Sequence, residues 1–590
     1  MLSRNRRFSA LLALLMLALL PACEPSSGAA AHGPDRWWPT YGGSYANIRH
    51  TDLTDVNSTN VGRLALAWKF NTGVHGQFEA TPIVVDGVMY FTTGPDDAVY
   101  ALNAATGSLK WRFAPTLGHA RSVFAVNRGV AVAGGRVFYT TLDDQLIALD
   151  ALTGKVVWNS RIGDPRTGLS EDAAPIAWSG LLLVGSSGNE FGVRGSYSAY
   201  SQRDGKLVWR WWAVSPGWEG AYTASVHGYA LHRNLARERA LAARYRDAWK
   251  TGGGAIWMTP ALSPDESTIY LSTGNPAPAF NADRRPGDNL YTDCIVALDA
   301  HTGKLKWYYQ ETPHDVWDYD ASSPPILFDS VDASGHRIPS VAEAGKTGWL
   351  YVLDRRTGRL VRICEPFVPQ PYVYHALTAA GAPVQPGDTG GAIAPIAYDP
   401  ALHEAFIGAN VQPEVGETFA AGQRRAESDE HGKGGDMTGG EGTLEPTGLF
   451  SAIDTNTGHI RWQVPLPTSQ YGGPLSANGL VFLGEKYSGR LRAYDAVNGN
   501  VLWSVRPGDT VLAHFDVHDR AEQFLSALKI EAQHVIHHVR HQAEPAGHED
   551  IHAPPIAYRI DGREYIVIAS HVYAHDGLPG GNGIFAFALP

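Results

Sequence analysis

A single short pattern returns along the chain and limits what it can fold into. It reads "ALNAATGSLKW" ending at Trp111, "ALDALTGKVVW" ending at Trp158, "AYSQRDGKLVW" ending at Trp209 and "ALDAHTGKLKW" ending at Trp307. "VLDRRTGRLV" begins at Val352, "AIDTNTGHIRW" ends at Trp462 and "AYDAVNGNVLW" ends at Trp503. Each copy is a strand, an Asp/Asn-x-x-Thr-Gly turn in which glycine accepts positive φ, and a second strand. Another strand pair precedes most copies, as in "GVMYFTTGPDDAVYAL" and "GRVFYTTLDDQLIAL". About four strands per unit is the make-up of a β-propeller blade. Seven copies are visible. The strand candidates "RLALAWKF" near the start and "GIFAFALP" at the end would pair to complete an eighth blade, closing the ring without an open edge. The expected fold is all-β: an eight-bladed β-propeller over residues 36–590, with loop insertions and one short His-rich helical insertion. The recurring tryptophan is expected to pack between blades, which accounts for several of the 17 tryptophans.

Composition fits a folded repeat architecture, with 44% hydrophobic and 18% charged residues and with 64 glycines and 37 prolines to make turns. A formal charge of −11 argues against a nucleic-acid surface. The start reads as a targeting segment: basic "MLSRNRR", then apolar "LLALLMLALL", which is too short to span a bilayer comfortably. "LPAC", ending at Cys23, resembles a bacterial lipobox, with Pro21 where a smaller residue is usual. That resemblance implies a lipoprotein-type signal peptide at 1–22. It also implies an acylated Cys23 tethered to a membrane on the periplasmic side, and a flexible tether at 23–35. An ordinary cleaved signal is the alternative. Beyond Cys23 only Cys294 and Cys364 remain, too few for a disulfide framework, and no Cys-x-x-Cys-His offers covalent haem attachment.

Long insertions fall at 213–251, 411–450 and 512–553. In repeat proteins these usually map to loops on the working face. In the last one, Arg520 to His541 has helical spacing, with Phe524, Leu528, Ala532, Val535 and Val539 on one stripe. His534, His537, His538 and His541 fall on the other side, at a spacing that permits a shared transition metal. The plainer reading is a solvated, histidine-rich helix face.

Further motifs lie between the repeats. "GQFEATP" holds Glu79, "VNRGVA" holds Arg128, and "GSSGNEFGVRG" holds Ser187, Gly188, Asn189 and Glu190. "GGGAIW" ends at Trp257 and "STGNPAP" holds Asn275. "TPHDVWDYD" puts Asp315, Asp318 and Asp320 among aromatics, "GKTGWLYVLDR" holds Lys346, and "FIGANVQP" holds Asn410. With the repeats, these resemble the quinoprotein alcohol dehydrogenases of the methanol and ethanol dehydrogenase kind. Those are eight-bladed periplasmic enzymes that use pyrroloquinoline quinone (PQQ) and a metal ion. The resemblance runs from "WWPTYGGSYANIRHTDL" to the end of the chain.

The resemblance implies a role for each motif residue. Glu190 and Asn275 match metal ligands, and Asp318 matches the catalytic base beside the metal. Trp257 matches the tryptophan under the quinone ring. Glu79, Arg128, Ser187, Gly188, Asn189, Lys346 and Asn410 match cofactor contacts. The chemistry suits these residue types. Glu and Asn oxygens bind a hard cation, which polarises a carbonyl. An aromatic face carries a flat cofactor. A cation near the quinone oxygens stabilises charge as hydride arrives, and a carboxylate takes the hydroxyl proton. Asp320, two positions after the base, resembles the added ligand of the lanthanide-dependent branch, because a trivalent ion gains more from another carboxylate. A turn-capping Asp320 is the alternative, so Ca2+ and a lanthanide ion both stay open. Asp315 is expected to support the loop. Three positions depart from the family pattern: Ser122-Val123 stands where adjacent cysteines are usual, Asp172 where a threonine is, and Tyr471 where a tryptophan is.

The implied function is PQQ- and metal-dependent oxidation of a small alcohol, with electrons passed to an external c-type cytochrome. Larger alcohols, aldehydes and sugars also fit these motifs. The rival reading is a non-catalytic, lipid-anchored propeller scaffold resembling the outer-membrane-assembly lipoprotein. Geometry separates the two: the enzyme requires Glu190, Asn275 and Asp318 to converge above Trp257 at the ring's axis.

Overall fold

The computed structural model describes residues 36–590, except 119–124, 333, 379–380, 417–440, 443–446, 487, 509–548 and 573–580. Seven antiparallel sheets follow one another as blades 1 to 7, at 83–113, 131–161, 176–212, 261–310, 326–363, 397–466 and 475–505. Their four repeat strands lie side by side in chain order. Blade 8 joins Ile556–Ile560, Arg563–Val572 and Gly581–Ala588 to Ala65–Asn71 from the other end of the chain. Ala65 faces Ala588 and Phe70 faces Ile584, so the terminal pairing expected from the sequence closes the ring.

Inner strands of neighbouring blades touch, and burial rises toward them. In blade 1, Val99–Asn103 is almost wholly buried, while the outer Leu109–Phe113 buries only Trp111. That tryptophan shows why the repeat carries its signature. Its indole N–H donates 3.0 Å to Ala151 O in the turn of blade 2. Its ring lies against Gly154, whose φ is 69° and where an added Cβ would sit 2.6 Å from the ring. Positive φ and close packing both demand glycine there. Trp158, Trp209, Trp307 and Trp462 repeat the bond to Gln202, Ala300, Arg355 and Ala496 of the following blade. The turn aspartate completes the unit: Asp299 accepts from Thr302 N at 2.9 Å and Thr302 Oγ1 at 2.7 Å. Blade 5 lacks the tryptophan, and Arg362 takes its place, donating 2.6 Å to Thr455 O and lying beside Gly458.

The segment before the first blade does something the repeats do not announce. Carbonyls of Trp38, Tyr45, Ala46, Ile48 and Arg49 accept from Val84, Leu262, Leu327, Tyr398 and Ser476. Each donor is the second residue of an inner strand, in blades 1, 4, 5, 6 and 7. The segment therefore threads the middle of the ring and binds inner-strand N–H groups that water cannot reach. The 213–251 insertion holds a short helix, Leu235–Leu241, capped by Asn234 Oδ1 accepting from Arg237 N at 3.1 Å. The His-rich helix expected within 512–553 and the Ser122-Val123 pair lie outside the described residues, as does most of 411–450.

Candidate active site

In an antiparallel blade, the residues leading into the inner strand and those leaving the second strand meet at the same end of the ring. The site is built from these two positions. Glu79, Asp172, Trp257, Ile393 and Tyr471 each lie four residues before the inner strand of blades 1, 3, 4, 6 and 7, and Arg128 lies three before that of blade 2. Ser187 to Glu190, Asn275 and Lys346 follow the second strands of blades 3, 4 and 5. Trp257 and Asn275 thus flank the strand pair Ala261–Ser263 and Thr268–Ser272.

These residues, with Asp318 and Asp320, line one cavity of about 330 Å³. Glu190, Asn275, Asp318 and Trp257 all line it. Asn410 stands behind the wall: it is 1% exposed and donates 3.0 Å from Nδ2 to the carbonyl of Thr389, which does line the cavity. Sequence reasoning missed Thr389, Asp388, Gln77 and Ile393, which also line it. Ile393 was accessible from strand register alone.

The acidic stretch divides its labour. Asp315 accepts from Trp317 N and Tyr319 N, both at 2.9 Å, and so holds the backbone on either side of Asp318. Arg285, fully buried, donates to the Asp315 carbonyl and to the carbonyls of Pro278 and Ala279 on the cavity rim. Asp318 itself adopts φ 64°, the left-handed region that non-glycine residues seldom occupy. Asp320 Oδ1 accepts from Asn275 N at 2.7 Å. Lys346 ion-pairs with Asp320 and lies 3.2 Å from Asp318 Oδ2. Loss of water raises the Asp318 carboxyl well above its usual range; Lys346 opposes this and Asp320 adds to it. Burial also raises Glu190, with Asp320 and Asp172 contributing.

On the other side, Arg128 pairs with Glu79 at 2.7 Å and Asp172 at 2.9 Å, and donates 3.2 Å to Trp257 O. Ser187 Oγ donates to the second Asp172 oxygen.

Among the described residues, no group of three His, Cys, Asp or Glu side chains forms a ready-made metal site. The donors nevertheless fit a hard cation: three carboxylates and an amide face one cavity, and two of the carboxylates are costly to ionise unaided. Asn189 Oδ1, also at the cavity, is buried with no hydrogen-bond partner. Trp257 offers a flat floor, and Gly274 keeps it clear, since a Cβ there would lie 2.6 Å from the indole and 2.8 Å from Asp320 Oδ1. The residues present fit both a planar cofactor and a cation.

Fold and site together define an eight-bladed propeller with one acidic, tryptophan-lined cavity, and comparison with known proteins gives the class. Residues 38–414 match the family model described as glucose/ethanol/alcohol dehydrogenase, beta-propeller domain, and 420–521 match that of outer membrane protein assembly factor BamB. The quinoprotein alcohol dehydrogenase PedH of Pseudomonas putida is 35% identical over 492 residues, 79% of this chain and 81% of its own. The putative dehydrogenase XoxF of Paracoccus denitrificans is 31% identical over 559 residues, 87% and 89% of the two chains. A europium-containing methanol dehydrogenase structure superposes with a TM-score of 0.71 at 27% identity, over 94% of this chain and 98% of that one. The chain belongs to the PQQ-dependent alcohol dehydrogenase family. It is an oxidoreductase, and its cofactors are PQQ with Ca2+ or a lanthanide ion.

Proposed function

We propose that this chain oxidises an alcohol bound above Trp257, that Asp318 is the general base, and that electrons leave to a separate c-type cytochrome. The observation that carries this is the shared cavity of Trp257, Glu190, Asn275, Asp318 and Asp320. Bound PQQ supplies a two-electron acceptor and the bound cation a Lewis acid. Glu190, Asn275, Asp318 and Asp320 would hold the cation. Glu79, Arg128, Ser187, Gly188, Asn189, Lys346 and Trp257 would hold PQQ, with Asn410 acting through Thr389.

In this reading Asp318 accepts the substrate's hydroxyl proton. Asp315 fixes its position by gripping the backbone on both sides. Lys346 offsets the charge of Asp318 and Asp320. Phe191, Met258, Pro278 and Phe280 supply apolar cavity wall that limits water. The printed name of a relative, methanol dehydrogenase [cytochrome c] subunit 1 of Methylorubrum extorquens, 32% identical over 549 residues, supports an external cytochrome acceptor. The lipobox-like "LPAC" supports a periplasmic chain anchored to a bacterial membrane through Cys23.

Asp320 favours a lanthanide over calcium, because it brings a third carboxylate to the cation. The test is dye-linked alcohol oxidation with added PQQ and either calcium or lanthanum, for the wild type and Asp320→Ala. Activity with lanthanum that the substitution abolishes supports the assignment. Activity with calcium alone makes Asp320 a bystander, and inactivity across a broad alcohol panel with no PQQ retained removes the enzyme reading.

A further inference from the structure

Arg128 is already answered before any cofactor arrives. Two carboxylates hold it, Glu79 at 2.7 Å and Asp172 at 2.9 Å, and the three side chains are each only 10 to 12% exposed. Neither acid has a spare oxygen: the second oxygen of Glu79 accepts from Gln77, and that of Asp172 accepts from Ser187. The grip is fixed by the fold. Glu79, Arg128 and Asp172 lead into the inner strands of three successive blades. Their backbones are tied as well, Thr81 N donating 3.1 Å to Arg128 O and Arg128 N donating 2.9 Å to Asp172 O. The acids therefore cannot release the guanidinium by a simple backbone shift.

The cavity as a whole is acidic, with six carboxylates lining it against two cations, Arg128 and Lys346. PQQ carries three carboxyl groups, ionised at neutral pH. Two of the donors it would use, Arg128 and Ser187, are already engaged by Asp172, and it meets the Asp172 charge there.

We propose that Asp172 lowers cofactor affinity: it competes with the acidic groups of PQQ for Arg128 and Ser187, and so makes the cofactor exchangeable. The proposal rests on the reading of this cavity as the PQQ site. Asp172→Asn removes the charge and keeps the shape, leaving one acceptor oxygen where two had held Arg128 and Ser187, so that one of those donors is freed.

The experiment is a PQQ binding titration on the purified full chain, by ultrafiltration and absorbance, at fixed calcium and again at fixed lanthanum. Asp172→Asn is expected to lower the Kd for PQQ at least tenfold with either ion. An unchanged or higher Kd overturns the proposal and makes Asp172 a residue that orients Arg128. Should Asp172→Asn melt well below the wild type, Asp172→Thr decides by the same criterion. If wild type and variants all fail to bind PQQ with either ion, the cofactor reading of the cavity falls, and this proposal with it.

Discussion

Gly274, beside Trp257 and Asp320, is tightly constrained. A single added methyl group would press on Trp257 at 2.6 Å and on Asp320 Oδ1 at 2.8 Å. Neither can retreat easily: the Trp257 carbonyl is held by Arg128, and Asp320 by Asn275 N and Lys346. Gly274→Ala should therefore keep the fold but loosen the cofactor floor and the cation position together. We expect at least a tenfold loss of PQQ retention, measured by absorbance after gel filtration, with a melting temperature near that of the wild type. Retention equal to the wild type would contradict it. Most of the site was legible at this scale because its residues sit in short motifs, such as "GSSGNEFGVRG" and "TPHDVWDYD", whose order along the chain is distinctive. Asp388 and Thr389 were not legible, because blade 6 delivers them through an irregular insertion with no local signal. Asn410 was legible as a neighbour of the site but not as a support behind its wall.

At the scale of elements, the repeat was readable because each blade writes its own turn. Aspartate closes the turn, glycine allows it, and tryptophan of the preceding blade docks on it. Blade 5 shows that the contact matters more than the residue, since Arg362 reaches the same place with a different group. The axial segment was unreadable because its carbonyl links to five blades leave no side-chain pattern, and its side-chain links, from Tyr45, Asn47 and Arg49, occur once each rather than in a repeat. The seams between blades also hold buried acids. Asp97 of blade 1, 0% exposed, accepts from Asn127 Nδ2 at 2.9 Å and Leu142 N at 2.8 Å at the edge of blade 2. Burial raises its carboxyl from 3.8 to about 7, against the pull of those two donors. The folded chain then keeps a proton that the unfolded chain releases near pH 3.8, so stability falls as pH climbs from there through about 7. Glu404 and Glu564, each raised to about 7 mainly by burial, add slope of the same sign. Melting temperature should drop between about pH 4 and about pH 7, and Asp97→Asn should flatten part of that drop. An identical slope in the variant would show that Asp97 does not hold a proton in the folded chain.

For the whole molecule, closure is what places the chemistry. Pairing Ala65–Asn71 with Gly581–Ala588 turns eight similar sheets into a ring, and equivalent positions of different blades then face one axis. Residues nearly 270 positions apart, Glu79 and Lys346 among them, become neighbours around one cavity without any local code for the contact. This is why the fold could be read from the repeats while the meeting of the site residues could only be expected from resemblance. The most direct test of the chemistry asks whether Asp318 acts on the substrate's proton or merely on the cation. Asp318→Asn keeps an oxygen donor of the same size and removes the base. Turnover of the wild type and the variant would be compared, each loaded with PQQ and lanthanum and with both contents measured in the same sample. Equal cofactor and metal contents with kcat lower by about 10²- to 10⁴-fold in the variant is the expected result. Equal contents with kcat unchanged would show that Asp318 is not the base.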